Sequence, residues 1–248
     1  MKILVAINCV PDTTSKINFT NNNKEFDKNG IQYIINPQDE YCLSKALYFQ
    51  EKQGAEVSII TVGDISVEPV MRKALAIGAN NAIRVNIQPK DSELVAKEIA
   101  SVAKEGQYDL ILLGKESIDY NGGLVPGLVA AELNCAFVNA VTGLNIDGKT
   151  IQVVREIDNG KETISIELPA VLAGQEGLVP ENQLKIPNIR GIMTAKNKPF
   201  TVVEPKFFGN KVNVVEFEKP IRRSNVVWVD KDNLDELVRL LHEEAKVI

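Results

Sequence analysis

The chain has one histidine and three cysteines in 248 residues, and each scarcity removes a class of chemistry. With His242 alone, a Ser–His–Asp triad within the chain has to run through that residue. It lies beside two glutamates in the amphipathic closing segment NLDELVRLLHEEAKVI, and reads as a solvated helix-face side chain. Cys9, Cys42 and Cys135 are scattered without paired spacing, against both a disulfide framework and a thiolate metal site. There is no excess of positive charge: the net charge of −5 gives no general attraction to nucleic acid or to anionic lipid. The opening MKILVAINCVPD carries one lysine and an apolar run that meets charge at Asp12. That run is too short for a signal peptide or a membrane span, which predicts a cytoplasmic protein without membrane insertion. Neither a Walker lysine-serine pair nor a G-x-G-x-x-G fingerprint occurs, and there are no internal repeats. The carboxylate pairs Asp39–Glu40, Asp230–Asp232 and Glu243–Glu244 fall at helix starts or on solvated faces, where they suit helix electrostatics better than acid–base catalysis. No catalytic residue and no metal ligand is assigned.

What is present is globular: 44% hydrophobic and 25% charged residues, enough for a sizeable core. Short β-branched runs alternate with longer amphipathic ones: KILVAIN (2–8), PQDEYCLSKALYFQEK (37–52), EVSIITV (56–62), VEPVMRKALAIG (67–78), AIRV (82–85), DSELVAKEIASVAKEG (91–106), YDLILLG (108–114) and GGLVPGLVAAEL (122–133). Near-continuous apolar strands between helices predict a doubly wound α/β fold with a mainly parallel sheet covered on both faces. Residues 17–36 break the rhythm with two extended runs around an Asn-rich connection, which predicts a hairpin or an excursion over the sheet. The next helix starts cleanly, with Asn36 placed to cap, Pro37 at the first helical position, and Asp39 and Glu40 in the first turn. Beyond residue 134, IQVVREI (151–157), KETISIEL (161–168) and PAVLAG (169–174) read as antiparallel strands added to the parallel core. From Gln175 to Pro205 periodicity fades into a long Pro- and Lys-punctuated loop, and such loops are usually functional. Residues 1–200 are therefore read as a nucleotide-binding α/β domain that includes the loop 175–200, and 201–248 as a C-terminal arm.

Ligands of open parallel sheets bind beyond the carboxyl ends of the strands where the winding reverses. Four loops qualify: Asn8–Lys16, Asn36–Asp39, Val62–Ser66 and Gly114–Val125. In the last, Gly114, Gly122 and Gly123 let a backbone approach a ligand, and the helix start that follows offers unpaired N–H groups to a phosphate. The same glycines would also serve a plain turn.

Seven segments, taken together, resemble one family. KILVAINCVPDTTSKI, INPQDEYCLSKAL, RKALAIGANNAI, DLILLGKESIDYNGG, VVREIDNGKET, ELPAVLAG and IPNIRGIMTAKNKP occur in the order and near the spacing of the electron transfer flavoprotein β-subunit family. The resemblance implies a Rossmann-like domain followed by an arm that packs on an α subunit, which holds most of the FAD. It implies an electron carrier, not an enzyme. Such a carrier accepts electrons from acyl-CoA and related dehydrogenases in fatty acid oxidation and passes them towards a quinone reductase. It implies a structural AMP in this subunit, contacted by Ala6, by Asn36, Pro37, Gln38 and Asp39, and by Val62. The contacts continue along the loop Gly114, Lys115, Glu116, Ser117, Ile118, Asp119, Tyr120, Asn121, Gly122, Gly123, Leu124 and Val125. It places Glu156 at the α/β interface near the flavin and makes Ile186 the aliphatic anchor for dehydrogenase partners. Two alternatives stay open: a second FAD in place of AMP, as in bifurcating relatives, and an adenine-nucleotide-binding enzyme or sensor of the same α/β superfamily.

Overall fold

The computed structural model describes residues 1–221 and 226–248. Its strands are β1 (Lys2–Ala6), β2 (Cys9–Pro11), β3 (Phe19–Thr20), β4 (Glu25–Phe26), β5 (Tyr33–Ile35), β6 (Glu56–Val62), β7 (Asn81–Val85), β8 (Leu110–Gly114), β9 (Ala136–Asp147), β10 (Thr150–Ile157), β11 (Gly160–Glu167), β12 (Ala170–Gly174) and β13 (Phe200–Val203). Its helices are α1 (Pro37–Gln53), α2 (Glu68–Ile77), α3 (Ser92–Gly106), α4 (Val125–Leu133), α5 (Ile189–Ala195) and α6 (Leu234–Arg239). Two compact units result, one of Met1–Asn18 with Asp27–Val214 and one of Phe19–Phe26 with Val215–Ile248.

The first unit is the expected doubly wound α/β fold. A nine-stranded sheet runs β11-β10-β9-β12-β8-β1-β6-β7-β13, and only β10 opposes its neighbours. β1, β8 and β12 are apolar nearly throughout and buried on both faces, as a parallel strand between two helical layers requires. One core layer carries Leu43, Leu47 and Phe49 of α1 with Met71 and Leu75 of α2. The opposite layer carries Ile99 and Ala103 of α3 with Val129 and Ala130 of α4. The winding β1–α1–β6–α2–β7 moves outward along one face; the chain then returns through α3 to β8 on the other side of β1. The direction of winding therefore changes between β1 and β8.

Local chemistry sets the helix bounds. Pro37 opens α1, and Gly54 ends it in a left-handed conformation with its N–H donating to the Gln50 carbonyl at 3.1 Å. Asp91 caps α3 by accepting from the Leu94 N–H at 2.8 Å, and Asn188 caps α5 by accepting from Gly191 at 2.7 Å.

Several elements differ from the sequence reading. The segment 169–174 is not antiparallel: β12 lies parallel between β8 and β9. β9, absent from that reading, is the partner on which the β10–β11 hairpin is built. The long stretch after Gln175 holds α5 and the edge strand β13, and α4 starts only at Val125.

Beyond β13 the chain is strapped to α3. Glu98, buried to 1% exposure, accepts from the backbone N–H groups of Lys206 at 2.8 Å and Phe207 at 2.7 Å. Asp91 accepts from the Lys211 N–H at 2.7 Å. The second unit contains the β3–β4 hairpin, whose turn places Asn21, Asn22 and Asn23 at φ values of 51°, 54° and 62°, a conformation asparagine tolerates better than most residues. There Phe19 stacks on Phe217 at 4.8 Å. α6 is followed by a π-helical turn, Leu240–Glu244, which exposes His242. The expected arm 201–248 includes residues 222–225, which lie outside the described residues. Among the described residues no helix is long and apolar enough to cross a membrane.

Substituting Glu98→Ala orphans two N–H donors at once. It is expected to lower stability by about 1–2 kcal/mol and to erase hydrogen-exchange protection of the Lys206 and Phe207 amides. Unchanged protection at both would contradict the strap.

Candidate functional site

The loops that follow β1, β5, β6 and β8 gather at the carboxyl edge of the sheet, around the point where the winding reverses. Asp39 ties them together. Its carboxylate, 4% exposed, accepts from the Asn8 N–H at 2.7 Å and from the Gly114 N–H at 2.8 Å, and so fixes the ends of β1 and β8 from the first turn of α1. A Cβ on Gly114 would fall 2.5 Å from Asp39 Oδ1, so this close approach requires glycine. Burial pushes the Asp39 carboxyl up to about 7, against the opposing pull of its hydrogen bonds.

The expected Asn36 cap is not made, because the side chain is used elsewhere. Asn36 Nδ2 donates to the Glu116 carbonyl at 2.9 Å, and Asn36 Oδ1 accepts from the Ile118 N–H at 3.2 Å. Gln38 makes a second pair with the same loop: its Oε1 accepts from the Glu116 N–H at 2.8 Å and its Nε2 donates to Glu116 Oε1 at 3.3 Å. The Lys115 N–H donates to the Gly174 carbonyl at 2.7 Å. The inner half of the loop, Gly114 to Ile118, is thus held on both sides. Its outer half, Asp119 to Leu124, is exposed and folds back through the Ser117 N–H donating to the Gly122 carbonyl at 3.1 Å.

This organisation leaves donors open. The N–H groups of Gly123 and Leu124 have no acceptor among the described residues, and a Cβ on Gly122 would meet nothing within 4 Å. Open backbone donors at the start of α4 suit a phosphate. Ala6 and Val62 end β1 and β6, and with Val125 they belong to the apolar cluster on the α3/α4 face of the sheet. In chemical character these groups fit a nucleotide.

Of the expected cofactor residues, Asn36, Gln38 and Asp39 are joined by hydrogen bonds to the segment Gly114 to Ile118, and Ala6, Val62 and Gly114 end three neighbouring strands at the same edge. Glu156 adjoins them. It accepts from Gln175 Nε2 and lines a cleft of about 380 Å³ with Gln38, Gln175 and Glu176. Ile186 is elsewhere, 78% exposed in a loop tied to α1, where the Lys185 N–H donates to Ser44 Oγ at 3.0 Å and Lys185 Nζ pairs with Glu51 at 2.7 Å. Asn8 belongs to the site beyond its place in a suspect loop: its side chain donates to Ser117 Oγ at 2.5 Å. A polar residue directly after an apolar strand is the signal that marks it.

A sheet ordered β7-β6-β1-β8, with helices on both faces and its loops converging where the winding reverses, defines a Rossmann-like α/β domain. A family model described as "Electron transfer flavoprotein domain" matches residues 24–207. The chain is 30% identical to the electron transfer flavoprotein subunit beta of Bacillus subtilis over 262 residues, covering 100% of both proteins. It is 30% identical to the human protein of that name, covering 100% of this chain and 99% of that protein. The Syntrophomonas wolfei protein of that name is 32% identical, with 94% and 91% covered. The chain belongs to the electron transfer flavoprotein β-subunit family, a family of electron-transport flavoprotein subunits.

Asp39 gives a pH test. An unfolded aspartate titrates near about 3.9, so its raised folded value means that its contribution to stability is full below that pH and is lost as pH rises to about 7. The stability advantage of the native protein over Asp39→Asn is expected to be largest near pH 4 and to shrink towards pH 7 in urea unfolding. An advantage that grows with pH would show that the two backbone donors outweigh burial.

Proposed function

We propose that this chain is the small subunit of a heterodimeric electron transfer flavoprotein, that it holds AMP at the β1/β8 switch point, and that it carries electrons without bifurcating them. The observation that carries this reading is the loop Gly114–Val125, braced by Asn36, Gln38 and Asp39 and ending in open N–H donors. One phosphate matches that set. In this reading Gly122 to Val125 hold the phosphate, Ala6 and Val62 floor the nucleoside, and the Asn36–Asp39 turn keeps both in register. FAD, bound mostly by an α subunit, supplies the redox chemistry. The contribution of this chain is to bind and orient, with Glu156 at the edge of the cleft facing that partner. The second unit serves as the arm: Trp228, Leu234 and Val238 are exposed within it, and their burial against the α subunit would complete a divided core. The donors are acyl-CoA and related dehydrogenases of fatty acid oxidation, the acceptor is a quinone reductase, and the setting is the cytoplasm.

Denaturing the purified heterodimer and separating the released nucleotides tests the cofactor assignment. One FAD and one AMP per heterodimer is the expected result; two FAD and no AMP would replace it with the bifurcating reading.

Ile186 is proposed as the docking anchor, since an isoleucine exposed to this degree on a loop whose base is tied down presents a fixed apolar knob. Ile186→Ala is expected to slow reduction by a cognate dehydrogenase about tenfold or more, corresponding to a loss of about 1.4 kcal/mol or more, with the flavin spectrum and melting temperature unchanged. A parallel fall in melting temperature would assign Ile186 to the fold instead.

A further inference from the structure

Among the described residues one cation is almost wholly enclosed at the carboxyl edge of the sheet and is not among the expected site residues. Arg84, on β7, is 5% exposed. Its Nη1 donates to the Gly63 carbonyl at 2.9 Å and to Asn86 Oδ1 at 2.8 Å, and its Nε pairs with Glu68 at 3.1 Å. These three partners belong to three elements: the turn after β6, the end of β7 and the first residue of α2. Enclosing a guanidinium is expensive, and replacing a whole enclosed ion pair by apolar side chains of similar volume is often neutral for stability. Arg84 is therefore better explained by what it holds than by the net energy of its ion pair.

What it holds is Gly63. The Gly63 N–H donates to the Val85 carbonyl at 3.0 Å while its carbonyl receives Arg84, so both polar groups of this peptide position are fixed by β7. A Cβ here would fall 2.7 Å from Val67 Cγ1, which leaves the turn packed closely against the segment leading into α2. The next residue, Asp64, starts the turn by accepting from the Ser66 N–H at 2.8 Å and Ser66 Oγ at 2.5 Å. The residue before Gly63, Val62, ends β6 and packs on the α3/α4 face of the sheet. On the other side, Thr61 Oγ1 donates to the Ile7 carbonyl at 2.9 Å, which couples the end of β6 to the end of β1. The β6 wall of the site thus has two braces, one from β1 and one from Arg84.

We propose that Arg84 is a positioning residue for the nucleotide site: by fixing the Gly63 carbonyl it sets the Val62–Ser66 turn against the bound nucleoside. The proposal rests on the reading of this edge as the AMP site, and the test separates the two. Arg84→Met keeps the volume and removes the fork; Arg84→Lys keeps the charge and one donor. AMP is titrated calorimetrically into nucleotide-stripped heterodimers, alongside the melting temperature of each stripped protein. Arg84→Met is expected to weaken AMP at least tenfold with the melting temperature within about 3 °C of the native value, and Arg84→Lys to recover part of the loss. Asn36→Ala, which removes a direct brace of the Gly114–Val125 loop, serves as the control. If Asn36→Ala weakens AMP while both Arg84 variants bind within twofold of the native protein, the Arg84 assignment is wrong and the site stands. A fall in melting temperature that tracks the affinity, without recovery in Arg84→Lys, also overturns it, in favour of a purely structural arginine. If stripped native heterodimer binds no AMP, both readings fall.

Discussion

The buried carboxylate of Asp39 is the constraint on which the rest of the switch-point edge depends. Two parallel strands that neighbour each other in the sheet, β1 and β8, end in N–H groups that no strand partner can satisfy there, because the loops diverge. Asp39 accepts from both, at Asn8 and Gly114. An unmade hydrogen bond at such a depth costs about 1–3 kcal/mol, so this one side chain decides where both loops leave the sheet. It does so from the first turn of α1, which makes the placement of that helix and the placement of the loops one and the same fact.

The remaining bonds extend this anchor outward. Asn36 and Gln38 flank Asp39 and reach the loop after β8 at Glu116 and Ile118, so the Asn-Pro-Gln-Asp turn acts as a template against which Gly114 to Ile118 is laid. Proline contributes twice: it fixes φ at the helix start and has no N–H to compete for these acceptors. With the inner half of the loop held, the outer half can present Gly123 and Leu124 with open N–H groups without collapsing onto the sheet. Donors held in this way are pre-organised, and a ligand meeting them loses less freedom on binding than it would with a mobile loop.

Much of this was legible in the sequence, and the limits are physical. Helices α1 and α3 follow from Pro37, Asp91 and their apolar spacing, and β1, β6 and β8 from continuous apolar runs. β12 reads as a strand from sequence but its direction does not, since five wholly buried residues, AVLAG, look the same in parallel and antiparallel sheets. β9 does not stand out in the sequence, although at 12 residues it is the longest strand among the described residues, because its half-buried pattern includes polar Asn139, Thr142 and Asn145. α5, at seven residues, is too short for a helical period to emerge. Asn36 shows the limit most clearly. An asparagine before proline at a helix start has every local mark of a cap, yet its acceptor lies 80 residues away. The motif set names the residues of the Asn36–Asp39 turn and the Gly114–Val125 loop, but not the bonds that join them.

The direct test is amide hydrogen exchange on the heterodimer with AMP bound and after its removal. The account predicts that Gly123, Leu124 and Val125 gain strong protection when AMP is present, while Asn8 and Gly114, already held by Asp39, are protected in both states. Identical exchange at Gly123 to Val125 with and without the nucleotide would contradict it.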